Sequence, residues 1–388
     1  MIDVVPALVC RSLRLRQFRN YPELELDFPA AGVAIIGDNG SGKTNLLEAL
    51  YYLEIFRSFR GAADDQLVRF GAEAFHVRGR FADPVTGREI EITAAWEPRT
   101  RTKRVTVDGA EPERIGDAIG RVRVVVFSPS DMALVAGGPA ERRRFLDIVL
   151  SVNVPGYLAA LQRYRQVLRQ RNALLRAGAP VTVVEAWDPA FIESGSVVLR
   201  ERAVWVESFA PEFARRFCAV GDGAMATLAY RPGLRGGAGD VCNVEQARAT
   251  LQREVERVAG RERERGVTLV GPHRDDLAIL TATTSEQVDL RDYGSGGQVR
   301  TAAIAMRMIE AESARRSRGT APLVLLDDVF AELDPGRSQR MLEMMETEGH
   351  GQVILTAPKA TDVVGSSGRA LSGLPRWRIA AGHITVAA

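Results

Sequence analysis

The chain has 388 residues, 46% of them apolar and 26% charged, which is enough for a buried core and excludes wholesale disorder. Its 51 basic and 49 acidic residues nearly cancel, so contact with any polyanion must come from local patches rather than from net charge. No apolar run reaches the roughly 18 residues of a membrane span, and Cys10, Cys218 and Cys242 show neither CxxC spacing nor the density of a disulfide framework, which points to a reducing, cytoplasmic setting.

Met1–Cys10 carries Asp3 and no early positive charge, so it does not read as a signal peptide. Leu8–Leu15 and Leu24–Phe28 alternate loosely and predict strands, while the all-apolar run Val33–Ile36 suits a buried parallel strand. A glycine loop follows, and then Leu46, Leu47, Leu50, Tyr51 and Leu53 recur near helical spacing, predicting a helix over Lys43–Phe56. Phe75–Phe81, Glu89–Trp96 and Arg104–Val107 read as an antiparallel meander with Asp108-Gly109 as a turn, and Val122–Phe127 as another buried strand. From Pro139 to Gly266 the pattern is mainly helical. Leu161, Tyr164, Leu168 and Leu175 follow coiled-coil spacing among Arg163, Arg165, Arg169 and Arg176; Leu251, Val255 and Val258 form a second stripe, and the two predict a short antiparallel arm. Gly233–Asp240 reads as a loop. After Val267 the α/β pattern returns, with a loop and helix over Gly294–Glu312, a strand at Pro322–Leu326, a helix at Ser338–Glu346 and a strand at Gln352–Thr356. The expected organisation is an α/β head formed by residues 1–138 and 267–388, discontinuous around a helical insertion at 139–266.

Three motifs carry chemistry. Gly37-Asp38-Asn39-Gly40-Ser41-Gly42-Lys43-Thr44 fits GxxxxGK[ST], placed between a buried strand and a helix as a phosphate-binding loop requires. Its glycines permit left-handed backbone angles, so that amides point inward at phosphate oxygens, and the helix start adds partial positive charge. Lys43, one of three lysines in an arginine-rich chain, would neutralise the β- and γ-phosphates with a compact ammonium; Thr44 would ligate Mg²⁺, and Asn45 continues the nucleotide-binding segment. The apolar run Leu323–Leu326 ends in Asp327 and Asp328, at the sheet edge where ligands gather. Asp327 would hold Mg²⁺ through water, and Asp328 would orient or polarise an attacking water.

The third motif, Tyr293-Gly294-Ser295-Gly296-Gly297-Gln298, resembles the signature loop of ABC-type ATPases, in which Ser295, Gly296, Gly297 and Gln298 would cap the γ-phosphate held by a second subunit. Glu332-Leu333-Asp334 resembles the D-loop of the same superfamily. What this implies is an α/β fold of the ABC-type P-loop ATPase head, a mixed sheet plus an antiparallel β-subdomain, with an inserted helical arm domain. Lys43 and Ser295 lie about 250 residues apart, farther than in transporter ATPases and much nearer than in SMC-type chromosome proteins.

The chain resembles the RecF family along nearly its whole length. The resemblance rests on Leu13–Tyr21, the phosphate loop and its helix, Arg57-Ser58-Phe59-Arg60, Val126–Pro129, Gly138–Asp147, Gly271–Leu277 and Leu325–Asp334. It implies a DNA-binding ATPase that uses ATP and Mg²⁺ and dimerises on ATP. Such a protein would favour gapped DNA or single-strand/double-strand junctions and act with RecR and RecO to help load RecA, supporting repair and the SOS response. Arg57 and Arg60, interleaved with Phe56 and Phe59, are candidates for DNA contact or for packing. Arg142, Arg143 and Arg144 are candidates for a DNA patch or a helix face, the arginines of the arm for a solvated face or a DNA-tracking surface, and His273 and Arg274 for the nucleotide pocket or a subunit interface, with a structural role as the alternative for His273. Two departures from the ABC pattern, Thr356-Ala357 where a histidine is usual and Asp328 where glutamate is usual, point to slow hydrolysis; no glutamine stands at Phe127–Ser130. The competing expectations are a membrane-transporter ATPase subunit and an SMC-like architectural protein.

Overall fold

The computed structural model describes residues 6–282, 286–349, 351–361, 373–380 and 382–386. In chain order the elements are β1 (Val9–Phe18), β2 (Tyr21–Asp27), β3 (Gly32–Ile36), α1 (Lys43–Ile55), β4 (Phe75–Asp83), β5 (Arg88–Glu97), β6 (Thr102–Val107), α2 (Ile115–Ala118) and β7 (Val124–Phe127). Then follow α3 (Met132–Ala136), α4 (Pro139–Asn153), α5 (Tyr157–Arg176), α6 (Val181–Glu185), α7 (Asp188–Val220), β8 (Ala226–Arg231), α8 (Val244–Arg265), β9 (Asp276–Ala282), β10 (Gln287–Asp289), α9 (Leu290–Tyr293) and α10 (Gly296–Arg318). The chain closes with β11 (Leu323–Asp327), α11 (Pro335–Glu348), β12 (Val353–Ala357), β13 (Arg376–Ala380) and β14 (His383–Val386). Two compact units result, one of Met1–Asp131 with Met306–Ala388 and one of Met132–Ala305.

The first unit holds two sheets. One has the order β14-β13-β3-β12-β11-β7, parallel except for β14. Val33, Ala34 and Ile35 of β3 are fully buried because both strand edges are paired and both faces covered, the environment a continuous apolar run requires. The other sheet, β2-β1-β4-β5-β6, is antiparallel, and β4 shows the alternation expected there: Phe75, Val77 and Phe81 are buried while His76 and Arg80 are exposed. The expected meander is β4–β5–β6, and Asp108 and Gly109 both take positive φ (53° and 81°), as a type I′ turn demands. The helix α1 is apolar on nearly every side because it packs against β4 and β5 and also against β7, β11 and β12. Buried Gln352 links the sheets, accepting from the Cys10 amide at 2.7 Å and donating to the carbonyls of Cys10 (3.0 Å) and Pro29 (2.8 Å).

Near its C-terminal end α1 buries Glu54, whose carboxylate accepts the Val124 amide at 3.1 Å. Desolvation pushes its pKa up to about 8 from an ordinary 4.5; Glu310 adds to the rise, and Arg123 and Arg307 oppose it. Because the folded carboxyl holds its proton more tightly than the unfolded one, its contribution to stability is whole below about pH 4.5 and is lost as the pH climbs to about 8. Glu54→Gln keeps the acceptor and removes the titration. It is expected to flatten the fall of Tm across that window and to raise Tm at pH 8; melting curves that slope as steeply as those of the parent chain would refute the assignment.

In the second unit, α7 is 33 residues long, roughly 50 Å of helix, and packs against both α5 and α8. The two stripes expected to face each other therefore each rest mainly on α7. Within α5 the buried positions are Tyr157, Leu161, Tyr164, Val167, Arg171 and Leu175, so Val167, not Leu168, continues the seam. This unit takes in 132–138 and 267–305 as well as the expected insertion, because β9 pairs with β8 to make the sheet β10-β9-β8. Trp205 stacks on Phe209 at 5.0 Å, and in the first unit Trp377 stacks on Phe28 at 5.4 Å.

The interior of the second unit also holds a charged hub. Arg202, 2% exposed, donates to Asp275 (2.6 Å), Asp147 (2.7 Å) and the Pro272 carbonyl (2.7 Å). Tyr157 and Arg165 complete Asp147, and Tyr230 donates to Asp275. The distinctive strings Gly138–Asp147 and Gly271–Leu277 are thus joined through one guanidinium. His273 sits beside this hub with Nδ1 on the Tyr164 hydroxyl (2.6 Å) and Nε2 on the Thr268 carbonyl (3.1 Å); burial lowers its pKa to about 4, so it is a neutral structural side chain.

Candidate nucleotide site

The turn from β3 into α1 is shaped by close approach. Gly40 and Gly42 have φ of 81° and 112°, and a Cβ on Gly42 would lie 2.4 Å from Asn20 Nδ2, so the loop needs glycine there for conformation and for space. Tyr21 donates its hydroxyl to the Gly42 carbonyl (2.9 Å), Asn20 Nδ2 donates to the Ser41 carbonyl (3.3 Å), and Asn45 Nδ2 donates to Asn20 Oδ1 (2.8 Å). The string Leu13–Tyr21 thus ends in the residues that brace the loop, a role sequence reasoning missed. A second brace is buried Glu48 on α1, gripped by Nε and Nη2 of Arg19 at 2.8 and 2.9 Å and by the Ser58 hydroxyl.

Lys43 is 4% exposed, its Nζ donating to the carbonyls of Gly37 (2.7 Å) and Asp38 (3.2 Å) and lying 3.7 Å from Asp328. Thr44 Oγ1 donates to Asp327 Oδ1 at 2.9 Å. Thr356 Oγ1 also donates to Asp327 Oδ1 (3.1 Å) and accepts the Asp328 amide (3.0 Å), so the residue standing in place of the usual histidine ties the Asp327 carboxylate to the Asp328 backbone. Desolvation raises the pKa of Asp327 to about 6; Asp328 adds to the rise, and Thr44, Thr356 and Arg60 oppose it. Asp328 takes a left-handed conformation, φ 48°, turning away from the strand direction. The loop, Lys43, Thr44, Asp327 and Asp328 therefore converge within the first unit.

Ser295 and Gly296 are exposed at the start of α10 in the second unit. Ser295 Oγ accepts the Gln298 amide (3.2 Å) and Gln298 Oε1 accepts the Ser295 amide (2.9 Å), a reciprocal cap that fixes the loop ahead of Gly296 and Gly297.

The basic candidates separate. Arg142 is 2% exposed; it binds Asp276 through two nitrogens at 2.8 and 3.0 Å and donates to the carbonyls of Val135 and Gly137. This corrects the expectation of a DNA contact, because a guanidinium with its donors spent inside the fold has none to give a phosphate. Arg143 is half-buried, with one nitrogen on the Asp275 carbonyl at 2.6 Å. Arg57 and Arg60 are exposed, and Arg60 reaches Asn45 at 3.4 Å, beside the phosphate loop.

A model of the RecF/RecN/SMC N-terminal domain matches residues 9–367. The DNA replication and repair protein RecF of Moorella thermoacetica is 36% identical over 386 residues, covering 98% of this chain and 97% of that protein. RecF of Salinibacter ruber is 35% identical over 361 residues, 91% of this chain and 85% of that one. Among solved structures, one described as the recombination mediator protein RecF-ATP in the RecFOR pathway superposes with a TM-score of 0.88 at 28% identity and covers 100% of both chains. An Smc head domain with an extended coiled coil from Pyrococcus furiosus, at 16% identity and a TM-score of 0.56 over 98% of this chain and 96% of that one, shares the fold.

Proposed function

This chain belongs to the RecF family, and from that premise we propose that it is an ATP-dependent DNA-binding protein of recombinational gap repair. It binds ATP and Mg²⁺, closes as a homodimer on single-stranded or gapped DNA, and hydrolyses ATP slowly in the cytoplasm. With RecO and RecR it helps load RecA, supporting replication-fork repair and SOS induction.

The observation that carries the reading is the convergence of Lys43, Thr44, Asp327 and Asp328 behind a braced glycine loop. The residues present fit the group. Ser41 Oγ and Asp328 Oδ1 are buried with no hydrogen-bond partner, the state of groups built to meet something else. Bound ATP and Mg²⁺ would supply the transferable phosphoryl group and the positive charge that draws electron density from it. The loop amides and Lys43 bind and orient the phosphates. Thr44 and Asp327 hold the metal, with Thr356 fixing the carboxylate, and Asp328 orients a water. Asp is one methylene shorter than the usual Glu, which suits a slow timer rather than a motor. Ser295, Gly296, Gly297 and Gln298 close the site of a second copy.

Analytical ultracentrifugation with and without ATP, Mg²⁺ and a gapped duplex tests this directly. The expected result is a dimer only with nucleotide, and DNA binding that weakens with salt. A chain whose oligomeric state and DNA affinity are the same in ATP, in ADP and without nucleotide would end the proposal.

A further inference from the structure

An open pocket of about 440 Å³ in the second unit is lined by five arginines, Arg235, Arg257, Arg261, Arg265 and Arg274, against the single carboxylate of Glu254. That carboxylate is engaged by Arg257, whose Nε lies 2.9 Å from it. The side chains of Arg261 and Arg265 form no ion pair and no hydrogen bond among the described residues; the Arg235 amide donates to Glu254 at 3.4 Å while its guanidinium has no hydrogen bond there, and the Arg274 guanidinium donates to the Thr268 carbonyl at 3.3 Å. Arginines in the last turn of α8 complement the helix dipole, which accounts for Arg263 and Arg265. It does not account for Arg261, nor for Arg235 and Arg274 arriving from two separate loops.

Those loops are held in place from inside. The Gly233 amide donates to buried Asp275 at 2.7 Å, the Gly271 amide donates to the Gly233 carbonyl at 3.2 Å, and a Cβ on Gly233 would lie 2.4 Å from that of Arg274. The string Gly271–Leu277 thereby clamps the 232–235 segment and presents its own Arg274 beside Arg235. Along α8, Arg261 and Arg265 stand one turn apart, about 6 Å, on the face that also carries Arg257. With Arg235 and Arg274 from two loops, four guanidiniums line the pocket, more than one phosphate needs, which suits a chain of them.

We propose that this pocket binds the phosphodiester backbone of a nucleic-acid strand, with Arg235, Arg261, Arg265 and Arg274 as the contacts; it rests on the DNA-binding reading above and assigns a place to it. The test uses the full chain with ATP, Mg²⁺ and a fluorescently labelled gapped duplex, and follows anisotropy over a range of salt. Arg261→Gln with Arg265→Gln is expected to weaken binding about tenfold at low salt and to reduce the slope of log K against log salt by about 1.5–2, with affinity for a fluorescent ATP analogue unchanged. The pair Arg88→Gln with Arg101→Gln, exposed arginines of the first unit, removes the same charge and is expected to keep the parent slope. An unchanged slope in the first pair, or an equal loss in the second, overturns the site while leaving DNA binding itself intact. Inorganic phosphate at matched ionic strength is expected to displace DNA no better than chloride; specific displacement by phosphate would mark a single-anion site and overturn the assignment to a strand. A parent chain that binds no DNA in any nucleotide state fails at the earlier reading instead.

Discussion

Lys43→Ala is expected to weaken ATP binding by about 100-fold or more. Hydrogen bonds to a charged group contribute about 1.5–3 kcal/mol each, and an ammonium shared between two phosphates makes more than one; each 1.4 kcal/mol is about tenfold in Kd. In the structure Lys43 Nζ is caged by the Gly37 and Asp38 carbonyls and lies 3.7 Å from Asp328. The cage holds the ammonium over the loop before any ligand arrives. Lys43→Arg is not expected to rescue, because a planar fork cannot occupy a cage built for a point charge with three rotatable donors. Titration with a fluorescent ATP analogue measures both variants, and thermal melting without nucleotide checks that the fold is intact. If the alanine variant binds within threefold of the parent chain, the phosphates are held elsewhere.

How much of this was legible before the fold depends on how far apart the cooperating residues lie. The phosphate loop is a contiguous string between a strand and a helix, so its geometry follows from local conformation alone. The two carboxylates end an apolar strand, and the parallel β11–β12–β3 arrangement brings them to the loop. Asn20 and Tyr21 were not legible as part of the site, and Thr356 was legible only as a position without the usual histidine, because their contacts exist only once β1–β2 and β12 are assembled around it. The long helix α7 was hidden for another reason. Its apolar residues Phe191, Val198, Leu199, Trp205, Val206 and Phe209 do share one face, but the buried Ser194, Gly195, Ser196 and Arg202 interleave with them and Pro211 sits in the helix interior, so the stripe does not read as one continuous helix. The arginines are the hardest case. Arg142, Arg171, Arg202 and Arg216 are buried, yet arginine is ordinarily a surface residue. Arg216 has its partner Glu212 one turn away, but Arg142 depends on Asp276, Arg171 on Glu262 and Arg202 on Asp275, all remote in sequence. An arginine-rich chain disguises its structural guanidiniums among its solvated ones.

Arg202 offers the sharpest test of that distinction. Arg202→Met preserves much of the side-chain volume but strands Asp275, fully buried, and Asp147, nearly so, without their shared cation. Breaking one partner out of a buried charge network costs about 3–5 kcal/mol, which for a unit of this size is a fall on the order of 10 °C in Tm. Arg200→Met, two residues away and paired only with its neighbour Glu201 near the surface, is expected to change stability by about 1 kcal/mol or less. Calorimetry on both variants separates a loss of buried charge balance from a loss of helix propensity, which is similar at the two positions. The cause can be isolated further. If the cost lies in the two abandoned carboxylates rather than in lost packing, adding Asp147→Asn and Asp275→Asn to Arg202→Met should recover a large part of the stability, since neutral amides are cheaper to bury and can still meet Tyr157, Tyr230 and the Gly233 amide. A triple variant no more stable than Arg202→Met alone would mean that the guanidinium acts through its shape, and the hub would then be a packing element rather than an electrostatic one.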